Sequence, residues 1–78
     1  MSETSLIFKV GGMHSKCCVD LINLRLSLIQ GISKSTVSLE NSKVNVTFDQ
    51  NTITKKEIET ELNFLGFPVK EIFNSYDL

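Results

Sequence analysis

Along this chain the hydrophobic period switches between two and about 3.6 residues, and each switch predicts an element boundary. Leu6, Phe8 and Val10 alternate with Lys9, the period of a half-buried strand. Gly11-Gly12 ends that strand, because two glycines free the backbone for a turn. From Lys16 to Gln30 the spacing becomes helical: Val19, Ile22, Leu26 and Ile29 form one apolar stripe, and Gly31 supplies a stop. Ser15 is the expected N-cap, its hydroxyl accepting from an orphan N–H of the first turn.

Ser35, Val37 and Leu39 alternate, as do Val44, Val46 and Phe48, with Glu40-Asn41-Ser42-Lys43 between them. This predicts a hairpin, although its turn lacks the Asn-Gly signature. Asp49-Gln50-Asn51 leaves the second strand. Thr54-Lys55-Lys56-Glu57 reads as a capping box that opens a second helix, with Ile58, Leu62 and Leu65 inward and Gly66 at its end. Phe64 falls off that stripe. Phe67-Pro68 leads into a last short strand, Val69 to Phe73, where Pro68 suits a sheet edge because it donates no ladder bond. The order β-α-β-β-α-β predicts an α+β, ferredoxin-like sandwich: a four-stranded antiparallel sheet with two helices on one face. In that arrangement the loop after the first strand and the Gly66-Phe67 loop lie at one end, where Phe67 can shield whatever the first loop binds. With no internal linker, repeat or low-complexity segment, residues 1–78 are expected to form one domain with its core at about 6–73.

The first helix carries a second stripe, Leu21, Leu24 and Leu28, on roughly the opposite side from the first. A helix on one face of a small sheet buries only one stripe fully. The second either packs partly against the neighbouring helix or remains an exposed strip that docks a partner or a second copy.

Composition narrows the function. Hydrophobic residues make up 41% and charged residues 22%, which suits a packed domain rather than a disordered chain. The net charge of −1 leaves no basic stripe for nucleic acid. No apolar run reaches the roughly 18 residues of a membrane span, and the start lacks the pattern of a secretory signal. Two adjacent cysteines cannot frame a small secreted domain, so the cytosol is the expected compartment.

The chemistry gathers on Gly12-Met13-His14-Ser15-Lys16-Cys17-Cys18, which holds both cysteines and the single histidine. Thiolate ligands select Cu(I) and similar soft ions. Cys18 falls in the first helical turn, where the helix N-terminus and Lys16 favour the thiolate; it is either a metal ligand or reactive thiol, or a small buried hydrophobe. Cys17 lies about 100° further round and faces solvent, so it is the weaker ligand candidate. His14 is an exposed loop residue or a ligand through a ring nitrogen. Met13 is an apolar plug under the loop or a thioether ligand. Nothing supplies the orienting group and oxyanion site that a Cys-His nucleophile needs, so the domain is not expected to be an enzyme.

Gly12-Met13, Cys18-Val19 with Ile22 and Leu26, Gly31-Ile32, the Val37-Leu39 and Val44-Val46-Phe48 strands, and Leu65-Gly66-Phe67 together make the chain resemble the heavy-metal-associated domain family. These are the copper-binding modules of metallochaperones and of the N-terminal tails of copper-transporting P-type ATPases, and include mercury-binding proteins. The resemblance covers about Leu6 to Phe73. The family motif is Gly-Met-x-Cys-x-x-Cys; Cys18 matches its second cysteine and Ser15 stands at its first. The resemblance implies a soft-metal binding and transfer module, most simply for Cu(I), with Zn(II), Cd(II) or Hg(II) as other candidates. Its ligands would be Cys18 and Cys17, with His14 as a third, supported by Met13, Ser15 and Phe67. The implied partners are another heavy-metal-associated domain or a P-type metal ATPase, or a second copy held through a shared ion or through Leu21, Leu24 and Leu28. Since a Ser hydroxyl is a hard donor that does not ionise, the competing reading is a domain that has lost tight metal binding and kept an interaction or regulatory role.

Overall fold

The computed structural model describes residues 3–74. The elements follow the expected order: β1 (Glu3–Val10), α1 (Lys16–Ser27), β2 (Ile32–Ser38), β3 (Lys43–Asp49), α2 (Lys55–Phe64) and β4 (Val69–Asn74). The strands form one antiparallel sheet in the order β2-β3-β1-β4. Phe8, Val10, Val44, Val46 and Phe48 point from the central strands β1 and β3 to the helix side. There they close one core with Ile22 and Leu26 of α1 and Ile58 and Leu62 of α2. An Arg25–Glu61 ion pair, 3.1 Å long, ties α1 to α2 above that core.

The capping box forms in α2. The Thr54 hydroxyl oxygen accepts the Glu57 N–H at 3.3 Å, while the Glu57 carboxylate accepts from the Thr54 hydroxyl rather than from its backbone. Ile53, which the pattern did not assign, is buried with Ile58, the pairing of a hydrophobic staple. At the other end of α2 the Phe67 N–H bonds the Leu62 carbonyl at 2.9 Å and the Gly66 N–H bonds that of Asn63 at 3.1 Å. Gly66, at φ +97°, takes the left-handed turn that this Schellman closure requires.

Four expectations shift. Helix α1 ends at Ser27 with Leu28 as C-cap, three residues short of the expected end, and Gly31 turns the chain into β2 instead. Its sheet-facing stripe runs through Cys18, Ile22 and Leu26, with Cys18 rather than Val19 packed on the core. Leu39 lies past the end of β2, in the exposed hairpin turn. Ile7 is buried on the face away from the helices, where it pairs with Phe73 of β4, and the Lys43 ammonium sits 5.7 Å from the Phe73 ring centroid.

Candidate metal centre

Three connections meet at one end of the sheet: the loop after β1, the β2–β3 turn and the α2–β4 turn. The Val10 N–H donates to the Ser42 carbonyl at 2.9 Å, and the Gly11 N–H donates to the Pro68 carbonyl at 3.0 Å. The β1–β4 register also shifts between Lys9 and Val10, which bends the strand where the loop departs. Gly12, at φ +85°, lies so close to the α2–β4 turn that a Cβ there would meet the Gly66 carbonyl oxygen at 3.0 Å and the Phe67 ring at 3.6 Å. A side chain cannot take that place without moving the turn. Phe67 is thus where the topology predicts, beside the loop, but buried as part of the core. Met13 packs half-buried against the same core, in agreement with the apolar plug.

Beyond Met13 the loop is solvent-facing: His14, Ser15, Lys16 and Cys17 are all exposed. Ser15 stands at the N-cap of α1 in extended backbone (φ −155°), and its carbonyl accepts the Cys18 N–H at 3.0 Å. Its hydroxyl makes no capping bond, however. The expected role of Ser15 as a side-chain cap is therefore corrected: the residue stands at the cap position, but its hydroxyl takes none of the first-turn N–H groups.

Cys18 is half-buried, with one side of its side chain packed on the core. The His14 backbone above all, then the Ser15 backbone, and to a lesser degree the Ser15 hydroxyl hold its thiol below the ordinary pKa by favouring the thiolate, against the opposing effect of burial. Lys16, which the sequence suggests as a cause, is not among them. Cys18 thus packs on the core as a small hydrophobe would, while its thiol pKa is lowered. Cys17 is exposed, and neither cysteine is in a disulfide. One helical step of about 100° turns it away from Cys18. Among the described residues no three His, Cys, Asp or Glu side chains come together as a ligand cluster, so His14 does not close a site with the two thiols.

The heavy-metal-associated domain family matches residues 7–68. The chain belongs to that family. It is 33% identical over 66 residues to the mouse protein Copper-transporting ATPase 1, a match that covers 85% of this chain and 4% of that protein. Copper chaperone CopZ of Staphylococcus epidermidis is 27% identical, with 86% of this chain and 98% of the chaperone covered. The yeast copper transporter domain Ccc2a, solved in apo and Cu(I)-loaded states, superposes with a TM-score of 0.80 at 29% identity, covering 96% of this chain and all of that one. Heavy-metal-associated relatives thus include both chaperones and copper-transporting ATPases, and among the described residues no helix is long and apolar enough to cross a membrane.

The donor set around Cys18 has a direct consequence for its reactivity. In Cys17→Ser protein, the rate of alkylation of Cys18 by iodoacetamide should reach its half-maximum at a pH below the ordinary thiol value of 9.0, because the thiolate persists to lower pH. Ser15→Ala should move that midpoint upward by removing one donor. A midpoint at or above the ordinary value would contradict the hydrogen-bonded geometry.

Proposed function

We propose that this heavy-metal-associated domain binds and passes on a soft metal ion, Cu(I) first, through Cys18 as principal ligand with Cys17 as the second sulfur. The observation that carries the reading is the place of Cys18: half-buried on the core in the first turn of α1, next to exposed Cys17 and at the end of an exposed loop. Its thiol, lowered in pKa by the nearby His14 and Ser15 backbone groups, is biased toward the anionic form that a metal requires, and the exposed side of the loop stays open to a partner. Ser15 supports by position and hydrogen bonding, not by ligation, since its hydroxyl is hard and un-ionised at neutral pH. Met13 and Phe67 fix the loop from below. His14 is a reserve ligand that the loop must move to recruit.

Transfer is an exchange of thiolates. An incoming deprotonated cysteine of the partner joins the ion and Cys17 leaves as a thiolate; a second partner thiolate then displaces Cys18, whose thiolate form the His14 and Ser15 backbone favours; the ion keeps its +1 charge throughout. The partner is another heavy-metal-associated domain or a metal-transporting P-type ATPase, met in the cytoplasm. The chain itself acts as a single carrier domain, not as an enzyme. Zn(II), Cd(II) and Hg(II) have the same thiolate preference and are secondary cargoes.

Anaerobic titration with Cu(I) against a competing chelator tests this. One ion bound per one or two chains is expected, with binding lost in Cys18→Ala and weakened in Cys17→Ser. No binding by reduced protein overturns the carrier role. It would favour the second reading, an interaction module, for which the hard Ser15 and the exposed leucines of α1 speak.

A further inference from the structure

The leucine stripe that the sequence left between two readings is uncovered: Leu21, Leu24 and Leu28 are 40, 58 and 70% exposed. Cys17, also exposed, continues the same line. Cys17, Leu21, Leu24 and Leu28 are spaced +4, +3, +4, the 3.5-residue repeat of a seam that packs against another helix. Phe64 on α2, 79% exposed, is a further uncovered apolar side chain on the helix layer.

We infer that this seam pairs with the same seam of a second copy, side by side, with the two α1 helices running in the same direction. The flanking charges select both the occupant and the orientation. Exposed Asp20 borders the seam on one side and Arg25 on the other. In a parallel pair a residue on the first flank faces the one five positions on in the other helix. Asp20 of each copy then meets Arg25 of the other, twice by symmetry. An antiparallel pair would set aspartate against aspartate and arginine against arginine. Arg25 already holds Glu61, but a guanidinium has donors to spare for a second carboxylate. Such rim pairs fix register and direction, while the leucines supply the attraction. A net charge of −1 per copy adds little repulsion.

The area fits a weak, reversible dimer. A specific interface needs roughly 1,000 Å² in total, and three leucines exposed to this degree on each copy supply part of it from both sides, with the flanking side chains adding the rest. The pairing does not depend on metal, so it stands or falls separately from the carrier role.

Sedimentation of reduced, chelator-treated protein from micromolar to millimolar concentration is the test. A monomer–dimer equilibrium is expected, weakened at least tenfold in Leu24→Lys, whose circular dichroism should be unchanged because Leu24 is a surface residue. In Cys18→Ser protein a short bis-maleimide should link Cys17 to Cys17 of the second copy, and Leu24→Lys in that background should suppress the link. Monomeric protein at millimolar concentration overturns the proposal. So does self-association that Leu24→Lys leaves intact, and a dimer that fails to link through Cys17 overturns the parallel arrangement.

Discussion

Ser15→Cys is expected to raise Cu(I) affinity by about two orders of magnitude. The size follows from metal–thiolate energetics: about 10–16 kcal/mol for a four-ligand site is roughly 3 kcal/mol per ligand, or about a hundredfold in affinity. The placement follows from the loop. Ser15 stands at the N-cap, three residues before Cys18, with its carbonyl 3.0 Å from the Cys18 N–H, so a thiol at that position lies in the same first turn as the Cys18 sulfur. Metal–sulfur bonds of about 2.3 Å put two sulfurs up to roughly 4.6 Å apart, a span that residues three apart in a first helical turn can reach.

Competition with a Cu(I) chelator would report the gain. The added ligand makes Cys17 redundant, so Cys17→Ser in the Ser15→Cys background should leave affinity unchanged within a fewfold. The same change in the parent chain should weaken binding. If Ser15→Cys binds no more tightly than the parent, residue 15 does not face the ion, and the ligands lie elsewhere on the loop.

How much of this was legible in advance differs between fold and site. The element order followed from periodicity, because strands of period two and helices of period 3.6 each present an apolar face that only a shared core can cover. The end of α1 was misplaced because Leu28 and Ile29 prolong the apolar pattern past Ser27, where the helix stops. Ile53 is one apolar residue between threonines, too short a signal for periodicity; only its position just before the Thr54 cap marks it as a staple. Val19 and Cys18 both lie within reach of the sheet on a helical wheel. Which of the two packs on the core is set by how α1 seats on the sheet, a tertiary matter that a single helix does not encode. At the site, the residues that could act as ligands were readable, whereas the failure of the Ser15 hydroxyl to cap α1 was not. A serine before a helix nearly always reads as a cap, and whether its hydroxyl meets a first-turn N–H becomes visible only once the turn is built.

Phe8→Ala is expected to remove a third or more of the stability of the domain. Phe8 is fully buried on the central strand β1, paired in register with Val44 on one side and Ile72 on the other, within the core shared by both helices. Truncating such a residue costs about 3–5 kcal/mol, the lost transfer energy plus the cavity left behind. A chain of this length has about 4–12 kcal/mol in all, so the variant's urea midpoint should fall by roughly a third or more. Urea denaturation followed by circular dichroism would measure it, with Phe64→Ala as the contrast. Phe64 has the same side chain but is 79% exposed, so its loss should change stability by no more than about 0.5 kcal/mol. Equal effects from the two would mean that the sheet face assigned to Phe8 is wrong. Because Val10, two residues after Phe8 on the same face, borders the metal loop, the two sites are also linked. If folded protein binds Cu(I) and unfolded chain binds it less well, saturating Cu(I) at a hundred times its dissociation constant should return about 2.7 kcal/mol to Phe8→Ala. The rescue should disappear when Cys18 is replaced by alanine as well. Persistence of the rescue without Cys18 would place the ion outside the loop that Phe8 supports.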